Sequence, residues 1–280
     1  MKKNTIEFYN CDERKLALES VQYKTNSAVV VLGSSRTAVL DSTFFEKSLL
    51  NLSLSSSSIE DMIAIYGSYI RNHKPPQIVT IGVDPYIFNG NRVRNMKNFV
   101  LIHDYNLMMQ NMHLTVSSEQ TSDLEIMSSK FLNAVSFKYF QQSITFILKN
   151  GIKALRPTIS TNNATVSLKN KNGVLIYPYK WNSRAGQVDS LVEQDISNDD
   201  LVGINGFTKI SDARVSLFTS FVHFLASNHI EVILLLTPYH PLMINYIHSQ
   251  PKYKIISDSE KLIRRIADTE KTKVIGSFVS

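Results

Sequence analysis

Three apolar runs stand out along the chain: "AVVVL" at 28–32, "IVTIGV" at 78–83 and "EVILLLT" at 231–237. Each is a short block rich in branched residues, without polar alternation. That is the pattern of a strand buried on both faces of a parallel sheet. Between the first two lies "IEDMIAIYGSYIRN", which places Ile59, Met62, Ile63, Tyr66 and Ile70 on one helical face. Ser57, three residues before Glu60, predicts a capping box at its start, and Pro75-Pro76 stops it. Strand, helix and strand in this order predict a βαβ unit.

The pattern changes in the middle and then returns. Residues 91–127 give no clear period, and a long helix is expected over about 128–149, closing at Asn150-Gly151. From about 152 to 205 the chain is polar and strand-like, and "ATVSLKNKNGVLIYPY" predicts a hairpin turning near Asn172-Gly173. "SDARVSLFTSFVHFLASNH" then puts Val215, Phe218, Val222 and Leu225 on one helical face behind Ser211 as N-cap. "DSEKLIRRIADTEKT" reads as an amphipathic helix and "KVIGSF" as a last short strand. The expected architecture is one α/β domain over 1–280. It is a three-layer sandwich around a central parallel sheet, with 152–205 as a β-rich insertion or cap.

Composition adds boundaries to this picture. The chain has 280 residues and is 43% hydrophobic, enough for a large core. Its formal charge is +6, but the basic residues are spread out, and the densest run, "NRVRNMKN" at 91–98, carries no nucleic-acid fingerprint. No nucleic-acid partner is expected. Cys11 is the single cysteine, which excludes a disulfide within the chain and a cysteine-based zinc site. The histidines lack ligand spacing, so neither a metal nor a cofactor is expected. The start has no apolar stretch behind its basic residues, and no run is long enough to span a bilayer. The chain is therefore expected to be cytoplasmic or to have lost an export segment.

The candidate chemistry sits at "VVVLGSSR". A serine just past the end of a buried parallel strand occupies the edge where open α/β sheets bind ligands. Gly33 permits a sharp turn there. A nucleophilic serine also needs a base and donors for the developing oxyanion. Without those, the same residues are only a polar turn.

At these residues the chain resembles the SGNH, or GDSL-like, hydrolase superfamily, and within it the cell-surface acyl-transfer branch that includes alginate-acetylation and D-alanyl-lipoteichoic acid proteins. The resemblance covers roughly 20–90 and 210–278 and rests on "VVVLGSSR", "NLSLSSSSIEDM", "IGVDPYIFN" and "LLLTPYHP". It implies a flavodoxin-like sheet with Ser35 as nucleophile. It puts Ser55 or Ser56 where the family has an oxyanion-donating glycine, and Asp84 where the family has an asparagine amide. A carboxylate has no proton to donate, so Asp84 is expected to orient the turn or to pair with Arg36, which otherwise points to an acidic substrate. The family's closing Asp-x-x-His is missing, because none of the 7 histidines has an Asp three residues before it. The chain is thus expected to stop short of its catalytic pair, with His240, on the turn after the strongest strand, the remaining histidine of the cleft.

The resemblance implies an esterase or O-acyltransferase acting on a carbohydrate or an acylated cell-envelope polymer, served by a membrane acyl-donor protein and nearly inert in this form. It also implies an envelope location. The competing expectation is a non-catalytic α/β module that binds a glycan or a protein.

Overall fold

The computed structural model describes residues 5–7, 12–23, 26–96, 99–115, 167–177, 188–199, 201 and 203–279. The helix expected over 128–149 lies outside them.

Five parallel strands form the central sheet: β2 (Val29–Leu32), β3 (Leu49–Asn51), β4 (Ile78–Gly82), β7 (Glu231–Leu236) and β8 (Lys273–Gly276). Their order is β3-β2-β4-β7-β8. Counted along the chain this is 2-1-3-4-5, the flavodoxin-like order of doubly wound sheets. The direction of winding reverses between β2 and β4, and the C-terminal ends of these two strands are the switch point at which sheets of this order bind ligands.

Helices α1 (Glu13–Tyr23), α2 (Ile59–Asn72), α3 (Ile102–Asn111), α4 (Val188–Ser197), α5 (Asp212–Ser227), α6 (Pro241–Ser249) and α7 (Lys254–Glu270) complete the described α/β core. The steps β3 to β4, β4 to β7 and β7 to β8 all run the same way across the sheet. Right-handed crossovers then put their helices on one face. The core agrees. Residues of α2, α5 and α7 share one apolar cluster with Val30, Leu50, Val79 and Val232, which are aligned across the sheet. Phe88 stacks edge-on against Phe218 at 5.5 Å, and Tyr66 against Phe221 at 5.8 Å.

Only the step from β2 to β3 runs the other way, and it carries a short 3-10 turn, Ser42–Phe44, instead of an α-helix. The opposite face therefore has its own small cluster: Val29, Val31, Leu49 and Ile78 against Val174, with Leu40 and Phe45 at its margin. Among the described residues, the third layer of the sandwich is this loop and a hairpin.

The hairpin is the one expected from Asn172-Gly173. β5 (Leu168–Asn170) and β6 (Leu175–Ile176) are antiparallel, and the Asn170 side chain accepts the N–H groups of Asn172 and Val174 at 2.8 and 3.1 Å. β1 (Thr5–Glu7) adds a third strand beside β5, a long-range pairing with no local sequence signal.

Helix α2 begins one residue later than its sequence suggested. The capping box is Ser58 with Asp61, not Ser57 with Glu60. Glu60 is drawn instead into a buried pair with Arg214, whose Nη2 donates at 3.0 Å. Ser211 holds the N-cap position of α5 but makes no side-chain capping bond.

Candidate functional site

β2 hands the chain to Gly33, whose φ is +141°. A Cβ at this position would come within 2.6 Å of Thr37 Oγ1 and 2.9 Å of the Gly82 carbonyl oxygen. Both the backbone conformation and the closeness of the β4 end therefore require glycine. Residues 34–39 then coil tightly: the Thr37 N–H donates to Ser34 O at 3.1 Å and the Ala38 N–H to Ser35 O at 3.3 Å.

This coil separates the two serines. Ser34 is buried, and its hydroxyl oxygen accepts the Arg36 N–H at 3.2 Å. Ser35 is exposed and makes no side-chain hydrogen bond among the described residues. The one free hydroxyl on the turn is thus that of Ser35.

The turn is braced from behind. The buried Asn51 amide donates to Thr37 O at 2.9 Å and Leu40 O at 3.0 Å. Thr37 Oγ1 and Ser53 Oγ are 3.0 Å apart. The hairpin adds three ties: Lys169 Nζ to Ser53 O at 2.9 Å, Leu175 N–H to Ala38 O at 2.8 Å, and Asn51 N–H to Asn172 O at 2.8 Å.

Arg36 reaches across this edge of the sheet. Its Nη1 donates to Asp84 at 2.9 Å, and its Nη2 donates to Thr237 O and, at 3.0 Å, to Pro238 O. Its guanidinium lies 4.6 Å over the Tyr239 ring. One side chain therefore joins the loops after β2, β4 and β7. Asp84, buried on the β4 loop, is committed to this clamp. Burial pushes the Tyr239 phenol up to about 12, against the opposing charge of Arg36. Burial and then the charge of Asp84 likewise raise Tyr86. Both phenols stay protonated at neutral pH.

The loop before α2 lies on the same edge. The Ser55 N–H is given to Glu13 at 2.6 Å and that of Ser57 to Leu54 O at 3.2 Å. Ser56, exposed and left-handed with φ +50°, has an N–H with no partner among the described residues. His240 stands at the N-cap of α6, beyond β7. Its Nε2 is 3.2 Å from Asp189 of α4, and its buried Nδ1 has no hydrogen-bond partner. No hydrogen bond joins Ser35 to a histidine among the described residues. All five residues singled out in the sequence, Ser35, Arg36, Ser56, Asp84 and His240, follow C-terminal strand ends.

Sequence reasoning missed Asp189, Tyr86 and Glu13. Tyr86 lies inside the quoted "DPYIF", but Asp189 and Glu13 are far from any motif and reach the site only through tertiary packing. Elsewhere, Glu270, His223 and Ser227 form a hydrogen-bonded chain, with His223 Nδ1 2.8 Å from Glu270 and Nε2 3.2 Å from Ser227 Oγ. It sits at the C-terminal end of α5, whose partial negative charge opposes an oxyanion. No cluster of three metal-ligating side chains and no helix long and apolar enough to cross a membrane occurs among the described residues.

No family model, curated protein or solved structure matches the chain.

Proposed function

We propose that this chain is an SGNH-like α/β protein of ester chemistry. In this reading Ser35 accepts an acyl group from an ester, with a carbohydrate or cell-envelope polymer as substrate class. The reading is carried by the free, exposed Ser35 hydroxyl on a braced turn at the topological switch point. Ser35 Oγ attacks the ester carbonyl carbon, the bond to the leaving alcohol breaks, and the serine proton passes to a base and on to that alcohol. The unpartnered Ser56 N–H is the donor for the developing oxyanion. Asp84 cannot donate, because it is a carboxylate paired with Arg36.

No base is bonded to Ser35 among the described residues, and a serine hydroxyl without one is a poor nucleophile. Turnover by the chain alone is therefore expected near background. Added imidazole supplies the missing base. Hydrolysis of a small activated acetyl ester, measured with and without imidazole, tests this. Once the solution reaction is subtracted, imidazole should raise the wild-type rate at least about tenfold, short of the 10²–10⁴ that a positioned base contributes. Ser35→Ala should show no rise. An equal rise in both proteins overturns the reading. An imidazole-independent rate that disappears in His240→Ala would assign the base to the His240–Asp189 pair.

A further inference from the structure

A second feature borders the proposed acyl-transfer site, from which Ser56 also lines it. Around the N-terminus of α2, a cavity of about 320 Å³ is lined by Ser55–Ser58, Tyr86 and four arginines, Arg14, Arg92, Arg94 and Arg214. That volume is at the small end of ligand sites. Three of the arginines are committed. Arg14 Nε donates to Asp61 at 2.8 Å, Arg94 Nη2 pairs with the same carboxylate, and Arg214 pairs with Glu60. Glu13 holds the rim through the Ser55 N–H.

Arg92 differs. It has no ion-pair partner among the described residues, and its buried Nη1 has no hydrogen bond. It stacks 4.6 Å over Tyr86, and Gly203 leaves the space that Nη1 occupies. The buried Nε of Arg94 is also without a partner. Three guanidinium groups thus share two carboxylates, Asp61 and Glu60, the fourth has none among the described residues, and the buried Arg92 Nη1 and Arg94 Nε remain unspent. Leaving a buried charged donor unsatisfied costs stability unless a ligand completes it.

We infer that this cavity binds a phosphate group, with Arg92 as its principal ligand and the start of α2 in support. A guanidinium fork matches phosphate or carboxylate. The uncommitted donors arrive from two separate segments, the loop at 55–58 and residues 92–95, and suit a tetrahedral anion better than a planar one. Helix N-termini add a favourable field for anions. The inference is independent of acyl transfer at Ser35.

The test is calorimetric titration with inorganic phosphate, glucose 6-phosphate and acetate, at low salt. Saturable binding of the two phosphates, with acetate at least about tenfold weaker, is expected. Tighter binding of the sugar ester than of inorganic phosphate would identify an organic phosphate as the natural form, and equal binding the free anion. Arg92→Gln should weaken binding at least about tenfold, and Ser35→Ala should leave it unchanged. Val93→Glu, at a lining residue that is 61% exposed, should abolish binding without disturbing packing. Absence of saturable phosphate binding, equal binding of acetate, or phosphate binding indifferent to both Arg92→Gln and Val93→Glu would overturn the inference.

Discussion

Two arginines in this molecule stack on tyrosines at the same 4.6 Å separation, Arg36 over Tyr239 and Arg92 over Tyr86. Their surroundings differ. Arg36 meets a carboxylate and two carbonyl oxygens, and so ties three strand-end loops together. Arg92 meets no carboxylate among the described residues and keeps a buried nitrogen unpaired. The lesson is that stacking orients a guanidinium, whereas its acceptors decide its use. A saturated guanidinium is structure, and an unsaturated one in a cavity is recognition. The same contrast separates Ser34, whose hydroxyl is bonded into the turn, from Ser35, whose hydroxyl is free.

The largest effect that this contrast predicts is on stability. Arg36→Ala leaves the Asp84 side chain, 3% exposed, without its cation. The expected cost is about 1.5–3 kcal/mol, the range for hydrogen bonds to charged groups, read as a lower urea midpoint with unchanged slope. A loss under about 0.5 kcal/mol would mean that Arg36 is not a clamp.

Gly33→Ala should follow closely. The strained φ alone costs about 1–3 kcal/mol, and the added methyl group meets Thr37 and the Gly82 carbonyl. A wild-type midpoint in this variant would contradict the tight approach of the β2 and β4 ends.

A smaller effect concerns pH. Burial by itself would raise the Asp61 carboxyl, but Arg14, the Ser58 N–H and Arg94 together hold it below its ordinary value. The folded chain therefore binds this proton less readily than the unfolded chain. Its contribution is complete above the unfolded value of about 3.9. It is lost as the pH falls through the lower folded value. Urea midpoints should decline on acidification below about pH 4. Asp61→Asn should flatten that decline without removing it, because Glu260 is also held low by the Phe278 N–H and Arg264. An identical acid profile in Asp61→Asn would remove Asp61 from the account.

The smallest expected effect belongs to Arg92. Arg92→Ala forfeits only a stacking contact worth about 0.5–1 kcal/mol. A loss as large as that of Arg36→Ala would erase the distinction between the two residues.

The central strands were legible because their apolar runs have no alternation. Residues 28–32, 78–83 and 231–237 fall on β2, β4 and β7. Strand β3 was harder to read, since only Leu49–Asn51 pairs and the serine run follows at once. The start of α2 slipped by one because Ser57 and Ser58 each have an acid three residues on, and only burial of Glu60 against Arg214 selects Ser58. The pairing of β1 with β5 could not be read locally, as it joins segments more than 160 residues apart. At the site, the strand-end positions of Ser35, Asp84 and His240 follow from pattern. The commitments of Arg36 and the link from His240 to Asp189 depend on side chains meeting across loops, which periodicity does not encode.

The claim that Ser35 is the acyl acceptor is tested most directly by mass spectrometry of the protein after brief exposure to an activated acetyl ester in the presence of imidazole. The account predicts one dominant acetyl adduct, mapped by peptide analysis to Ser35 and absent from Ser35→Ala, with Ser34 and Ser56 unmodified. An adduct at other residues that persists unchanged in Ser35→Ala, with Ser35 itself unlabelled, would contradict it.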